Sequence, residues 1–185
     1  MKYMIASDIH GSKYYCRYLL DRFGAEAPDR LLILGDTLYH GPRNSLPRDY
    51  DPDGVKNMLN EIKDCIIAVR GNCDSEVDQF VLEFPMMADY CVLDVGGTLV
   101  FATHGHRYMP EDLLRKGSDD VYLYGHTHIA EISRKNGHLI LNPGSVSIPK
   151  GGEASYMMLD GDVVTLKNLE GEVLASVLLG QGGNQ

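Results

Sequence analysis

Three short apolar runs in the first half of the chain, residues 3–6, 31–34 and 65–69, each end in a polar, glycine-containing loop and lead into a helix-like stretch. That repeat is the rhythm of an α/β domain. The loops read SDIHG, GDTLYHGPRN and RGNCD. Ser12 is placed to cap a helix over 13–23, Pro52 or Asp53 opens a second running to about residue 63, and a shorter helical piece covers 76–80. The loop over 35–51 is too long for a bare connection and is expected to be functional.

From residue 88 the texture changes and strands dominate, at 90–95, 99–102, 121–124, 129–135, 138–141, 155–159, 163–168 and 173–179. Turns at Gly96-Gly97, Asn136-Gly137, Asp160-Gly161 and Glu170-Gly171 suit hairpins, so the second half is expected to be largely antiparallel. The result is a mixed α/β (α+β) architecture of two sheets with helices outside. A chain of 185 residues, 44% hydrophobic, can bury a core without disulfides or structural metal. A single domain over 1–179 with a flexible tail over 180–185 is expected.

No window reaches the roughly 18 to 20 apolar residues that span a bilayer, and the N-terminal stretch meets Asp8 and His10 before any signal-peptide core forms. A soluble, cytoplasmic protein with no membrane partner is expected, its four cysteines reduced. The net charge of −9 argues against long nucleic acid or anionic lipid as partners. It leaves a phosphate ester open, because bound divalent cations reverse the local sign of a site.

Asp8, His10, Asp36, Asn72, His104, His126 and His128 all stand just past the ends of apolar runs, where open α/β sheets place ligands. Singly, each has a bland reading: a lone histidine is more often structural, and a Gly-Asp step is more often a turn. Five separate strand ends producing metal-capable side chains together favour chemistry. Four imidazoles, two carboxylates and one amide exceed the needs of one ion, and a nitrogen and oxygen set suits Mn, Fe, Zn or Ni. Two ions sharing a carboxylate accommodate the set.

DIHG, GD, GNCD, HGH and GHTH, in this order, resemble the calcineurin-like metallophosphoesterase family. GDTLYHGPRN, RGNCDSEVDQ and NPGSVSIPKGG look most like its small bacterial YfcE-type phosphodiesterases. The resemblance implies a four-layer α/β/β/α sandwich of two mixed sheets flanked by helices. It also implies that Asp8, His10 and His128 hold one ion, Asn72, His104 and His126 a second, and Asp36 bridges both. Asp36, Asn72 and His104 are then the residues expected to carry catalysis. Two divalent ions, manganese placed first, two aspartates and a bridging hydroxide sum to a formal charge of about +1, matched to a phosphodiester anion. The implied reaction is attack of that hydroxide on the phosphorus of a small phosphodiester.

Many members of the family carry histidine where Cys73 stands. A thiol of pKa about 8.5 is a poor proton donor in its place, and it lacks a cation's pull on a doubly charged monoester. A preference for diesters is the expected consequence. A phosphomonoesterase or nuclease of the same family, and a non-catalytic scaffold with this fold, are the competing readings. Arg43 and Asn44 are candidate substrate contacts in the long loop, and His40 and His106 are candidate hydrogen-bond partners of the ligands. Asp74 is expected to cap the following helix, His138 to lie on the surface, and Asn142, Pro143 and Gly144 to lie near the site. Tyr14, Tyr15 and Tyr18 offer a surface for a homo-oligomer.

Overall fold

The computed structural model describes residues 1–180; of the tail expected over 180–185, all but Gly180 lies outside the described residues. The first half runs β1 (Lys2–Ala6), α1 (Lys13–Glu26), β2 (Arg30–Ile33), α2 (Pro52–Asn60), β3 (Ile66–Ala68) and α3 (Glu76–Val81). The second half runs β4 (Tyr90–Val95), β5 (Thr98–Thr103), α4 (Pro110–Leu113), β6 (Val121–Leu123), β7 (Ala130–Lys135), β8 (His138–Pro143), β9 (Ser155–Asp160), β10 (Val163–Asn168) and β11 (Val173–Leu178). Ser12 caps α1 as expected, its hydroxyl accepting from the Tyr15 N–H. The second helix stops at Asn60 rather than near residue 63, and a 3-10 turn, Lys63–Cys65, leads into β3. None of the described helices is long and apolar enough to cross a membrane.

Two mixed sheets result, ordered β11-β10-β9-β1-β2-β3 and β4-β5-β6-β8-β7. Alternation along the strands decides which residue faces which layer. Met4, Ala6, Leu31, Ile33, Tyr156 and Met158 turn outward and pack with Cys16, Leu19, Val55 and Leu59 of α1 and α2. Ile5, Leu32, Met157 and Leu159 turn inward and meet Val100, Ala102, Val121, Leu123, Leu139 and Leu141 of the second sheet. The fourth layer is thin. The loop carrying α4 lies over the outer face of the second sheet, where the Tyr122 hydroxyl donates to the Tyr108 carbonyl.

The second half is largely antiparallel as expected, in the pairs β4–β5, β7–β8, β9–β10 and β10–β11, but β5–β6 and β6–β8 pair in parallel. The crossover from β5 to β6 runs through the segment carrying α4, too short to show a helical period. His138 is buried, not exposed: that same segment covers it, and its Nδ1 lies 3.1 Å from the Asp120 carbonyl oxygen.

Because β1, β2 and β3 are parallel, their C-terminal loops meet at one edge, and the loops after β5 and β6 arrive opposite them. The β2 and β3 loops approach so closely that Gly71 has no room for a side chain: a Cβ there would overlap the backbone nitrogen and carboxylate of Asp36. Asp74 fixes the crossing. Its carboxylate accepts the N–H groups of Asp36 and Thr37 at 2.9 Å and of Gly71 at 2.7 Å. The expectation that it caps α3 is therefore corrected; Ser75 stands at that cap.

Gly71→Ala is expected to destabilise the fold by about 1–3 kcal/mol in urea titration, since the new methyl meets the Asp36 backbone nitrogen as well as its buried carboxylate. Asp120 tests the α4 segment. Arg115 grips its buried carboxylate with two N–H groups, at 2.9 and 2.8 Å, and these bonds hold it well below the usual carboxylate range. A pKa lower in the folded than in the unfolded chain gives stability that is complete above pH about 4 and lost as pH falls through the folded value. Asp120→Asn should therefore lower the urea midpoint at pH 7, with the difference shrinking as the titration is repeated at acid pH.

Candidate metal centre

Five of the seven candidate ligands hold a backbone that L-residues avoid: φ is 57° at Asp8, 50° at His10, 54° at Asp36, 65° at His126 and 61° at His128. Only three other described non-glycine residues, Ala27, Asp49 and Asn136, have positive φ, so the strain concentrates at this edge. Hydrogen bonds between the loops sustain it. Asp8 N–H donates to Gly35 O at 3.1 Å, and His10 N–H to Asp36 O at 2.9 Å. From the β8–β9 loop, the Ser145 and Ser147 hydroxyls both donate to the Asp8 carbonyl. From the second sheet, the His126 N–H donates to Asp8 Oδ2 at 3.0 Å, and the Ser7 hydroxyl takes the same oxygen at 2.6 Å.

The other oxygen, Asp8 Oδ1, is buried and has no hydrogen-bond partner. It lies 3.2 Å from His128 Nε2 and 3.5 Å from His10 Nε2, and those two nitrogens are 3.2 Å apart. Each ring is already committed at its far side. His10 Nδ1 donates to Tyr39 O and His128 Nδ1 to Ile148 O, both at 2.8 Å. In its neutral form each ring, with the proton on Nδ1, turns a lone pair toward the carboxylate oxygen. Three lone-pair atoms aimed at one point repel unless positive charge sits among them, and a divalent cation fits that need.

A second group adjoins the first. His104 Nδ1 donates to Leu34 O at 2.6 Å, and its Nε2 faces Asp36 Oδ2 at 3.4 Å and Asn72 Oδ1 at 3.0 Å. Asp36 Oδ2 is also 3.7 Å from His10 Nε2, so this carboxylate stands between the groups. The His126 ring lies 5.1 Å from that of His104, between centroids, yet it is in none of the tight donor groups found among the described residues. Those groups are Asp8 with His10 and His128, Asp8 with Asp36 and His104, and His10 with Asp36 and Cys73.

Charge in the cluster is skewed toward holding cations. Burial opposes a charged His104, but the Asp36 and Asp8 carboxylates outweigh it and raise its pKa to about 9. Burial likewise opposes ionised Asp8 and Asp36, and the neighbouring imidazoles win, lowering both. Burial and the Asp36 carboxylate push the Cys73 thiol up to about 12, so it stays protonated; its backbone N–H donates to Asp36 Oδ1 at 2.7 Å. A protonated thiol is a poor nucleophile.

A cavity of about 880 Å³ opens over the cluster, lined by Asp36, Asn72, Cys73, His126 and His128. Arg43 and Asn44 reach it, as their place in the long loop implied. Tyr39, Thr127 and Lys150 line it too, and sequence reasoning missed them. For Lys150 the available signal was the stretch NPGSVSIPKGG, whose end is tied to the site by the Lys150 N–H donating to His128 O at 2.8 Å. His40 and His106 do not orient ligands through hydrogen bonds, for the Nδ1 of each is buried without a partner. Asn142 does more than form a turn: its amide donates to Gly125 O and Thr127 Oγ1 and so holds the loop bearing His126 and His128.

The sequence profile of the calcineurin-like phosphoesterase superfamily domain matches residues 1–163. The phosphodiesterase YfcE of Escherichia coli (strain K12) is 47% identical over 181 residues, covering 97% of this chain and 98% of that protein. The solved structure of the E. coli phosphoesterase YfcE superposes with a TM-score of 0.92, covering 97% of this chain and 100% of that one, at 47% identity. Vacuolar protein sorting 29 from Cryptosporidium parvum shares the fold at 21% identity and a TM-score of 0.64, covering 96% of this chain and 97% of its own. With the profile spanning most of its length and the two-sheet architecture matched by a close relative, the chain belongs to the calcineurin-like phosphoesterase superfamily.

Proposed function

We propose that this chain is a metal-dependent phosphodiesterase in which Asp8, His10 and His128 hold one divalent ion, Asn72, His104 and His126 a second, and Asp36 bridges the two. The observation that carries the reading is the unpartnered, buried Asp8 Oδ1 facing two imidazole lone pairs. The complete donor set also favours an enzyme over a scaffold. When bound, the ions would supply Lewis acidity, polarising the phosphoryl oxygens and lowering the pKa of water for attack on phosphorus. The nitrogen and oxygen donors suit manganese, with zinc, iron or nickel as alternatives.

The chain's own residues prepare the rest. The backbone carbonyls of Tyr39, Leu34 and Ile148 fix three histidine tautomers, so that Nε2 is the ligating atom in each. Arg43 and Lys150 put cationic side chains on the cavity wall to hold the substrate's phosphate, and Asn44 adds a neutral contact. Asn44 is itself oriented, its amide donating to the His40 carbonyl at 2.8 Å. Cys73, a neutral thiol at the cavity wall, neither protonates a leaving oxygen nor neutralises a second phosphate charge, which favours diesters. The name of the E. coli relative, a phosphodiesterase at 47% identity, supports that choice. A cytoplasmic location fits the four cysteines, all of them free.

Asp36→Asn should lower bound metal and hydrolysis of an aryl phosphodiester together, the latter by about 100-fold or more, measured by elemental analysis and initial rates on one preparation. A metal-free Asp36→Asn protein that retained full activity would overturn the assignment. Cys73→His should raise monoester hydrolysis relative to diester hydrolysis by about tenfold or more, read as the ratio of the two kcat/KM values. An unchanged ratio would remove Cys73 from the account of selectivity.

A further inference from the structure

A phosphate group fills only a small part of the cavity over the candidate ligands, and the walls indicate what fills the rest. A second cavity of about 340 Å³ adjoins it, and the two share Tyr39, Cys73 and Ser75 as walls. The character of the second is different. Leu38, Tyr50, Pro52 and Val77 give it apolar sides, and neither Arg43 nor Lys150 reaches it. Its one charged group is Asp78, whose carboxylate is engaged by the Ser75 N–H and hydroxyl at 2.7 and 3.0 Å. An acid at the wall disfavours a second anionic group there. Apolar surface is also left in water around the groove: Tyr39 is 42% exposed and Val77 68%. Phe80, one turn beyond Val77 on α3, is 87% exposed and extends the apolar face.

We propose that this groove is a subsite for an uncharged apolar or aromatic ester group of the substrate, entered from the metal cavity across Cys73, and that Tyr39 and Val77 select for it. The inference rests on the phosphodiesterase reading for the anionic part of the ligand. It adds that the substrate is asymmetric: a phosphodiester anion held at the ligand cluster and the cations of Arg43 and Lys150, with a flat or branched apolar group laid against Tyr39 and Val77. Continuity with the metal cavity is what distinguishes this apolar patch from scattered exposed side chains, which need no explanation. Pockets of this kind commonly combine a few polar anchors with an apolar wall.

The test uses the metal-loaded protein and phosphinates of constant charge, in which P–C bonds replace both ester links so that nothing can be hydrolysed, with methyl, phenyl or naphthyl as the varied group and Kd measured by calorimetry. From methyl to naphthyl, Kd should fall at least tenfold, the factor given by burying about 55 Å² of apolar surface. In a Tyr39→Ser/Val77→Asn variant the same series should span no more than about threefold. Both side chains are exposed, and the Tyr39 carbonyl that holds His10 is backbone, so the variant keeps the ligand cluster intact. A flat series in the parent protein, or an equally steep one in the variant, overturns the proposal. Turnover of the matching diesters is measured alongside. A steep binding series without turnover would fell the phosphodiesterase reading and keep the groove, whereas turnover with a flat series would fell the groove alone.

Discussion

The Asp8 carboxylate is the interaction on which the rest depends. One oxygen is structural, taking the Ser7 hydroxyl beside it and the His126 N–H from the opposite sheet. The other is left bare between His10 and His128. A single side chain thus ties the two sheets at the edge where the loops converge and leaves an unneutralised acceptor at the tie. The close approach this demands recurs at Gly125, where any Cβ would overlap the Ser7 hydroxyl. Asp74 acts in the same way one loop further along, exchanging a buried carboxylate for three backbone N–H groups that no neighbouring strand satisfies.

Much of this was legible in the sequence, for identifiable reasons. Asp8, His10, Asp36, Asn72, His104, His126 and His128 announce themselves because a polar, metal-capable side chain directly after an apolar run is expensive to place by accident. The strands were legible because their period is short and their boundaries carry glycine. The parallel pairing of β5, β6 and β8 was not, since strand direction depends on a crossover whose helix, α4, spans four residues and has no period to read. His138 was misread for the same reason: nothing local says that a distant loop will cover a residue beside a turn. Asp74 was misread because a carboxylate just before a helix has an ordinary local use, and only the folded chain reveals the amides waiting for it. Tyr39 is a cavity residue by position alone, with no spacing to mark it, whereas Lys150 lies at the end of a stretch, NPGSVSIPKGG, that could have pointed to it.

The chain is strongly acidic, with a net charge of −9, yet its site is poised to receive an anion. In the proposed reading, divalent ions at the carboxylates and the Arg43 and Lys150 side chains at the cavity wall would resolve that opposition over a few ångströms. The electrostatics felt by a bound anion would then be local, set by the site and not by the overall charge. The apolar groove beside Cys73 belongs to the same division of labour, offering a binding contribution that does not depend on ionic strength.

The left-handed backbone at five candidate ligands bears on what these loops can tolerate. Glycine would adopt those dihedral angles without strain, so the aspartate and histidine side chains stand there against a local backbone preference. Asp8 and Asp36 offset part of that cost through the N–H groups they accept from His126 and Cys73. Each loop therefore holds its shape by leaning on its neighbours, and a change that loosens one disturbs the aim of the others.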